Sequence, residues 1–176
     1  MRSKHTSKRL RTVRRHRLAL ALVGAMAMPM AAPALAQNLP ESGAVVNGTA
    51  SIGTAGNQMT ITQSTKGAII DWGSFSIGAG YGVTFNQQFG NNSVTLNRVV
   101  SALGPGYSVS ASVIDGSLSA NGSVFLINPA GITFGNGAAV NVGGLVASTL
   151  CMNSGDFING LSTGQYVFNG FNGDPS

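Results

Sequence analysis

Few side chains in this sequence have the chemistry for catalysis, and their spacing limits what they can do together. Asp71 and Asp115 are the carboxylates to weigh as an acid–base pair, but they lie 44 positions apart, and Asp71-Trp72-Gly73 reads as a strand corner, not a cleft. Both histidines, His5 and His16, fall within the first 17 residues. Beyond that point Cys151 and Lys66 are each alone of their kind, so the usual nucleophile–histidine triads and a His-based metal site cannot be assembled. Cys151 follows Leu150 and reads as a small buried apolar residue. Gly78-Ala79-Gly80-Tyr81-Gly82 has the glycine content of a phosphate loop. It lacks the Lys-Ser/Thr ending and a following helix, and therefore reads as a turn between Ile77 and Val83. The sequons at Asn47, Asn91 and Asn121 are unsurprising in a chain this rich in Asn, Ser and Thr. The expectation is a protein without catalysis, cofactor or metal.

The elements that hold these residues are short strands and corners. Glu, Lys and Arg appear once each after residue 37, so long stable helices are not expected. The stretch Asn121–Thr149 sets the pattern, with four apolar segments at Ser123–Ile127, Gly131–Phe134, Ala138–Val142 and Leu145–Ser148. Each is too brief for a helix, and each junction carries Gly or Asn, residues that turn a chain cheaply. Gln58–Gln63 alternates with a period of two, as does Ser108–Val113. Ile70 and Trp72 share one parity and Phe75 and Ile77 the other, so a bulge or corner at Gly73 returns both pairs to the core.

Such a chain points to a β-solenoid. The intervals Ile114–Ile132 and Val124–Val142 are both 18 residues, a plausible coil length for three short strands. Two intervals do not make a period, and a β-sandwich accommodates the same strands. In a solenoid, Arg98 reads either as an exposed strand residue or as an arginine whose five donors tie adjacent coils through backbone carbonyls. At the C-terminal end Tyr166-Val167-Phe168 is a candidate strand, and nothing in Met152–Ser176 resembles a capping element. The last coil is therefore expected to be open, which argues for truncation, partner association or limited stability.

Charge divides the chain. Eight of the ten Lys and Arg lie between Arg2 and Arg17. The remainder has two basic groups, Lys66 and Arg98, against five acidic ones, a net −3. The pI near 10.0 thus belongs to the leader, and a basic nucleic-acid surface is absent from the body. Residues 1–36 read as a signal peptide: a basic start, the apolar Leu18–Met28, Pro29 and Pro33, and Ala34-Leu35-Ala36 before Gln37. Cleavage between Ala36 and Gln37 is expected, by general secretion and not the twin-arginine route. An uncleaved membrane anchor is the alternative. The mature chain would hold one cysteine and no internal disulfide, leaving stability to packing and backbone hydrogen bonds.

Several motifs in order resemble the N-terminal secretion domain of the filamentous haemagglutinin family, the exported partners of two-partner secretion. They are Ile70-Asp71-Trp72-Gly73-Ser74-Phe75-Ser76-Ile77-Gly78, Val83-Thr84-Phe85-Asn86-Gln87, Leu96-Asn97-Arg98-Val99, Leu118-Ser119-Ala120-Asn121-Gly122 and Val124–Ile132. The run Gly135–Leu150 continues the match, which covers about Leu39–Phe168. The resemblance implies an all-β, right-handed parallel β-helix with an N-terminal β cap over 37–168, after a cleaved signal peptide and before a short tail at 169–176.

It also implies export through the periplasm of a Gram-negative bacterium to the surface or medium. There the soluble domains of an outer-membrane transporter would recognise the chain, whose first coils then template folding outside. The residues it implies for recognition are Asn97, Arg98, Asn128, Pro129, Gly131 and Ile132. The family's Asn-Pro-Asn-Gly-Ile motif stands here as Asn128-Pro129-Ala130-Gly131-Ile132, and a second motif of some members, Asn-Pro-Asn-Leu, has no match. A host-cell or glycan ligand would bind through regions downstream. Two other functions fit the residues less well: a β-helix enzyme acting on polysaccharide, and a stand-alone, self-associating adhesin.

Overall fold

The computed structural model describes residues 39–101 and 108–169. The leader 1–36, its cleavage point at Ala36 and Gln37, and the tail beyond Asn169 lie outside the described residues. The chain opens with β1 (Ala44–Asn47) and β2 (Ala50–Ala55) and then winds into coils. The first coil holds β3 (Gln58–Gln63) and β4 (Gly67–Trp72), and it turns at Gly73 toward a bridge at Ile77. The second holds β5 (Gly82–Gln87), β6 (Val94–Val99) and β7 (Ser112–Ile114). The third holds β8 (Ser117–Ala120), β9 (Ser123–Ile127) and β10 (Ile132–Phe134), and the fourth β11 (Ala139–Asn141) and β12 (Gly144–Ser148).

Equivalent strands stack in parallel. One face is β3, β5, β8 and β11, a second is β4, β6, β9 and β12, and a third pairs β7 with β10. The protein is an all-β solenoid. Where the stack begins, β1 and β2 lie antiparallel on β4 and β3 and take up backbone groups that would otherwise be unpaired.

Inward side chains stack rung on rung. Met59, Val83 and Leu118 share one register, and Ile61, Phe85 and Ala120 another. Trp72 and Phe75, on either side of the Gly73 corner, meet edge to face at 5.4 Å, and both are buried. Each such large side chain contributes about 1.5–3 kcal/mol by leaving water. The first face is covered only on its inner side, which is why β3 alternates buried and exposed residues. The second face is covered on both. Its strands accordingly read as continuous apolar runs, GAIIDW and SVFLI.

The 18-residue interval is not the coil. Ile114 pairs with Phe134 and Val124 with Leu145, so the last coil runs 20 to 22 residues between paired positions (112 to 132, 117 to 139). In the middle the spacing stretches to 35 (82 to 117), because the chain makes long excursions between strands. Corners of unequal length leave no period to read from sequence.

The C-terminal reading also needs correction. Tyr166–Phe168 forms no strand. Instead α1 (Ser154–Thr163) lies across the outside of the second face. Its ends are well made. The Asn153 side chain accepts from the Asp156 N–H at 2.7 Å, and Gly164 closes the last turn at φ 73°. Phe134 on the third coil and Val140 and Leu145 on the fourth are about two-fifths exposed.

Candidate functional site

The Asn128–Ile132 motif is the corner between β9 and β10. The Gly131 N–H donates to the Asn128 carbonyl at 3.0 Å, closing a four-residue turn with Pro129 at its second position and Gly131 at φ 113°. Asn128 is fully buried. Its amide nitrogen donates to the Ser110 carbonyl and to Ser112 Oγ, both at 2.9 Å, and its Oδ1 accepts from the Ala130 N–H at 3.0 Å. Its own backbone N–H reaches the Ser148 carbonyl on the fourth coil. The Asn128 side chain thus joins the corner to the preceding coil. Ala130 projects from the apex into solvent, so the turn needs no asparagine at that position. Ile132 is half-buried and packs on the inner core.

Asn97 and Arg98 are neighbours on β6 and point to opposite sides of the wall. Inside, Asn97 accepts from Trp72 Nε1 at 3.0 Å and donates to the Phe125 carbonyl at 3.2 Å, linking three coils through one fully buried amide. Outside, Arg98 grips Asp71, its register partner on β4, with Nε to Oδ1 at 2.7 Å and Nη2 to Oδ2 at 3.0 Å. Arg98 Nη1 also reaches the Met152 carbonyl at 3.4 Å and Ser154 Oγ at 3.3 Å. Arg98 is only 5% exposed. It is not an exposed strand residue. It does tie coils, but chiefly through a carboxylate and only secondarily through a carbonyl. Asp71 sits within β4 and not at a corner, and the ion pair occupies both its oxygens.

The six residues singled out therefore fall in two places. Asn97 and Arg98 lie on the second coil, and Asn128, Pro129, Gly131 and Ile132 on the third. Each asparagine is a buried brace. Cys151 is half-buried, with its thiol pushed above its ordinary pKa by burial and drawn back less by the Arg98 charge, so it stays protonated and unreactive near neutrality. Gly78–Gly82 is a turn, closed by Tyr81 N–H to the Gly78 carbonyl at 3.0 Å. Among the described residues, no cluster of acidic, His or Cys side chains is arranged to hold a metal.

Three features escaped sequence reasoning. The first is the Asp71 partner of Arg98, which only the parallel register brings opposite. The second is Asn121, whose amide extends the ladder: Oδ1 accepts from the Gln87 N–H at 2.7 Å and Nδ2 donates to the Gln87 carbonyl at 2.8 Å. The third is α1, for which a local signal existed. Asn153 followed three residues later by Asp156, with Gly164 beyond, is a start-and-stop pattern.

Comparison with known proteins sets these features in context. The TPS secretion domain family matches residues 36–170. The chain is 41% identical over 146 residues to a heme/hemopexin-binding protein of Haemophilus influenzae, across 78% of this chain and 15% of that protein. A second Haemophilus influenzae protein of the same name is 41% identical over 120 residues, covering 68% of this chain and 12% of its own length. Among solved structures, the HMW1 secretion domain from Haemophilus influenzae superposes with a TM-score of 0.62 at 37% identity, over 73% of this chain and 31% of that one. The chain thus spans a small part of the curated relatives it matches.

Proposed function

The chain belongs to the TPS secretion-domain family, and from that premise we propose that it is the secretion-targeting and folding-template module of an exported exoprotein, recognised by the periplasmic soluble domains of an outer-membrane two-partner-secretion transporter. The observation that carries this reading is the architecture. Four coils are stacked in register with antiparallel strands where the stack begins, and buried polar side chains brace one coil to the next. In this reading β1 and β2 are the N-terminal cap, the helix is right-handed, and residues 1–36 direct the chain to the periplasm before cleavage at Ala36–Gln37. A sparsely charged, Gly-rich body has few strong local traps and passes a pore unfolded, and coil-by-coil stacking then makes refolding directional.

Asn97, Arg98, Asn128, Pro129, Gly131 and Ile132 serve recognition by shaping the wall and corner that a transporter meets. Ligand binding of the kind named for the Haemophilus relatives is assigned to regions beyond this domain. Co-expression with the cognate transporter is expected to move the protein to the medium, and Asn128→Lys, which forces a charge into a sealed corner, to abolish that movement. Equal secretion without the transporter would sink the proposal.

A further inference from the structure

Four Asn-Gly pairs lie wholly within the described residues: Asn47-Gly48, Asn121-Gly122, Asn136-Gly137 and Asn159-Gly160. Such a pair is chemically unstable. The backbone nitrogen of the following residue attacks the asparagine side-chain amide carbon, and glycine, having no side chain, leaves that nitrogen open to do so. A C–N bond forms, the glycine nitrogen gives up its proton, and the amide nitrogen departs as ammonia, leaving a succinimide ring. Solvent water then opens the ring at either carbonyl, giving aspartate or isoaspartate. No oxidant, metal or enzyme is needed. The step requires an accessible side chain, an unengaged glycine N–H and a backbone free to rotate, so the fold decides which pair reacts.

Three of the four are held. Both amide atoms of Asn121 are bonded to the Gln87 backbone, and Gly122 is buried against the Gly90 and Ser93 carbonyls. Asn159 lies inside α1, where Gly160 belongs to the helical ladder and packs under the Tyr166 ring. Asn47 is paired with Ile69 in β1, and Gly48 is pressed on the Gly67 carbonyl, where a Cβ would lie 2.3 Å from the oxygen. Asn136 and Gly137 differ. They are the central residues of the turn between β10 and β11, closed by the Ala138 N–H to the Gly135 carbonyl at 3.1 Å. Both are exposed, and neither the Asn136 amide nor the Gly137 N–H has a hydrogen-bond partner among the described residues.

We infer that Asn136-Gly137 is a self-modification site, converting spontaneously to aspartate and isoaspartate at the corner that leads into the fourth coil, and that conversion loosens that coil. Isoaspartate routes the main chain through its side-chain carbon, adding a methylene between β10 and β11. Those strands are held in register by β7 and β8, so a longer link between them strains one pairing or the other. The new carboxylate also finds no cation. Lys66 is bonded to the Leu161 carbonyl and Arg98 to Asp71. The nearby charge is Asp115, whose Oδ1 packs against Gly135, so the corner gains like charge. The strands beyond it, β11 and β12, each stand at the edge of their sheet and are paired on one side alone. The site is independent of the secretion reading.

Ageing the purified chain in mildly alkaline buffer, followed by peptide mass mapping, tests it. Asn136 is expected to convert first, at least about tenfold faster than Asn121, whose two hydrogen bonds must open before reaction. In urea the four pairs are expected to convert at similar rates, since the fold alone separates them. Asn47, Asn121 or Asn159 converting as fast as Asn136 in the folded chain overturns the inference, as does a ranking that survives unfolding. Hydrogen exchange on the aged chain reads the consequence: amides of β11 and β12 are expected to exchange at least about tenfold faster, with β3 to β6 unchanged. Asn136→Gln keeps an amide at the exposed apex but closes the ring far less readily, and is expected to age without that change. Protection of β11 and β12 retained in the aged parent, or lost equally in the variant, overturns the loosening.

Discussion

Replacing Arg98 by leucine isolates what holds the second coil to the first. The Arg98 side chain is 6% exposed and that of Asp71 18%, with two hydrogen bonds between them at 2.7 and 3.0 Å. Removing one partner of a well-buried pair costs about 3–5 kcal/mol, since the survivor remains desolvated. Asp71 keeps some access to water, which places this case at the lower end, about 3 kcal/mol. The lost contacts to the Met152 carbonyl and Ser154 Oγ add less, being long at 3.4 and 3.3 Å. Restoring neutrality with Asp71→Leu in the same chain should recover most of the loss, because a paired apolar replacement leaves no orphan charge. Urea unfolding followed by the single tryptophan measures both, since Trp72 lies at the end of the strand that carries Asp71. A loss below about 1 kcal/mol for Arg98→Leu would mean that the pair behaves as a solvent-screened surface bridge, and the bracing role would fall. No recovery in the double variant would show that the arginine acts through its aliphatic packing.

Other outcomes follow from the same geometry. Gly122→Ala should destabilise the chain by more than about 2 kcal/mol, since its Cβ would fall 2.4 Å from the Gly90 carbonyl oxygen and 2.8 Å from that of Ser93, neither able to retreat. Normal stability by thermal denaturation would refute the crowding. Cys151 should alkylate more slowly at mildly alkaline pH than a free cysteine, because burial raises its pKa. Arg98→Leu should slow it further by removing the charge that lowers it. The sign for stability follows: the folded state holds its thiol proton to higher pH than the unfolded chain, so any contribution is lost as pH rises through the folded pKa. Half exposure keeps that effect small. Thiol titration against pH checks both statements, and reaction as fast as free cysteine would refute them.

Much of the candidate site was visible as residue types but not as contacts. Asn128, Pro129 and Gly131 announced a corner by local preference alone, and the turn is there. The sharper reading of Arg98 as a tie between coils identified its role, while its partner depended on which residue of β4 comes opposite. That register is set by corners of unequal length and has no signature in the local sequence. The helix 154–163 is built mostly of poor helix formers. It exists through the wall that it covers.

The sequence by itself determined the alphabet of this protein. Two-residue alternation on β3 and Gly and Asn at the corners establish short strands and tight turns, and histidine is absent after residue 17. These are local or compositional properties, and each residue carries them wherever the chain goes. Tertiary structure decided the rest: which strand lies over which, that Asp71 meets Arg98, that Asn97 spans to Trp72 and Phe125, and that one wall is covered on both sides. Parallel pairing joins residues 20 to 35 positions apart (112 to 132, 82 to 117), and its free energy comes from stacked side chains that no single segment can bury alone.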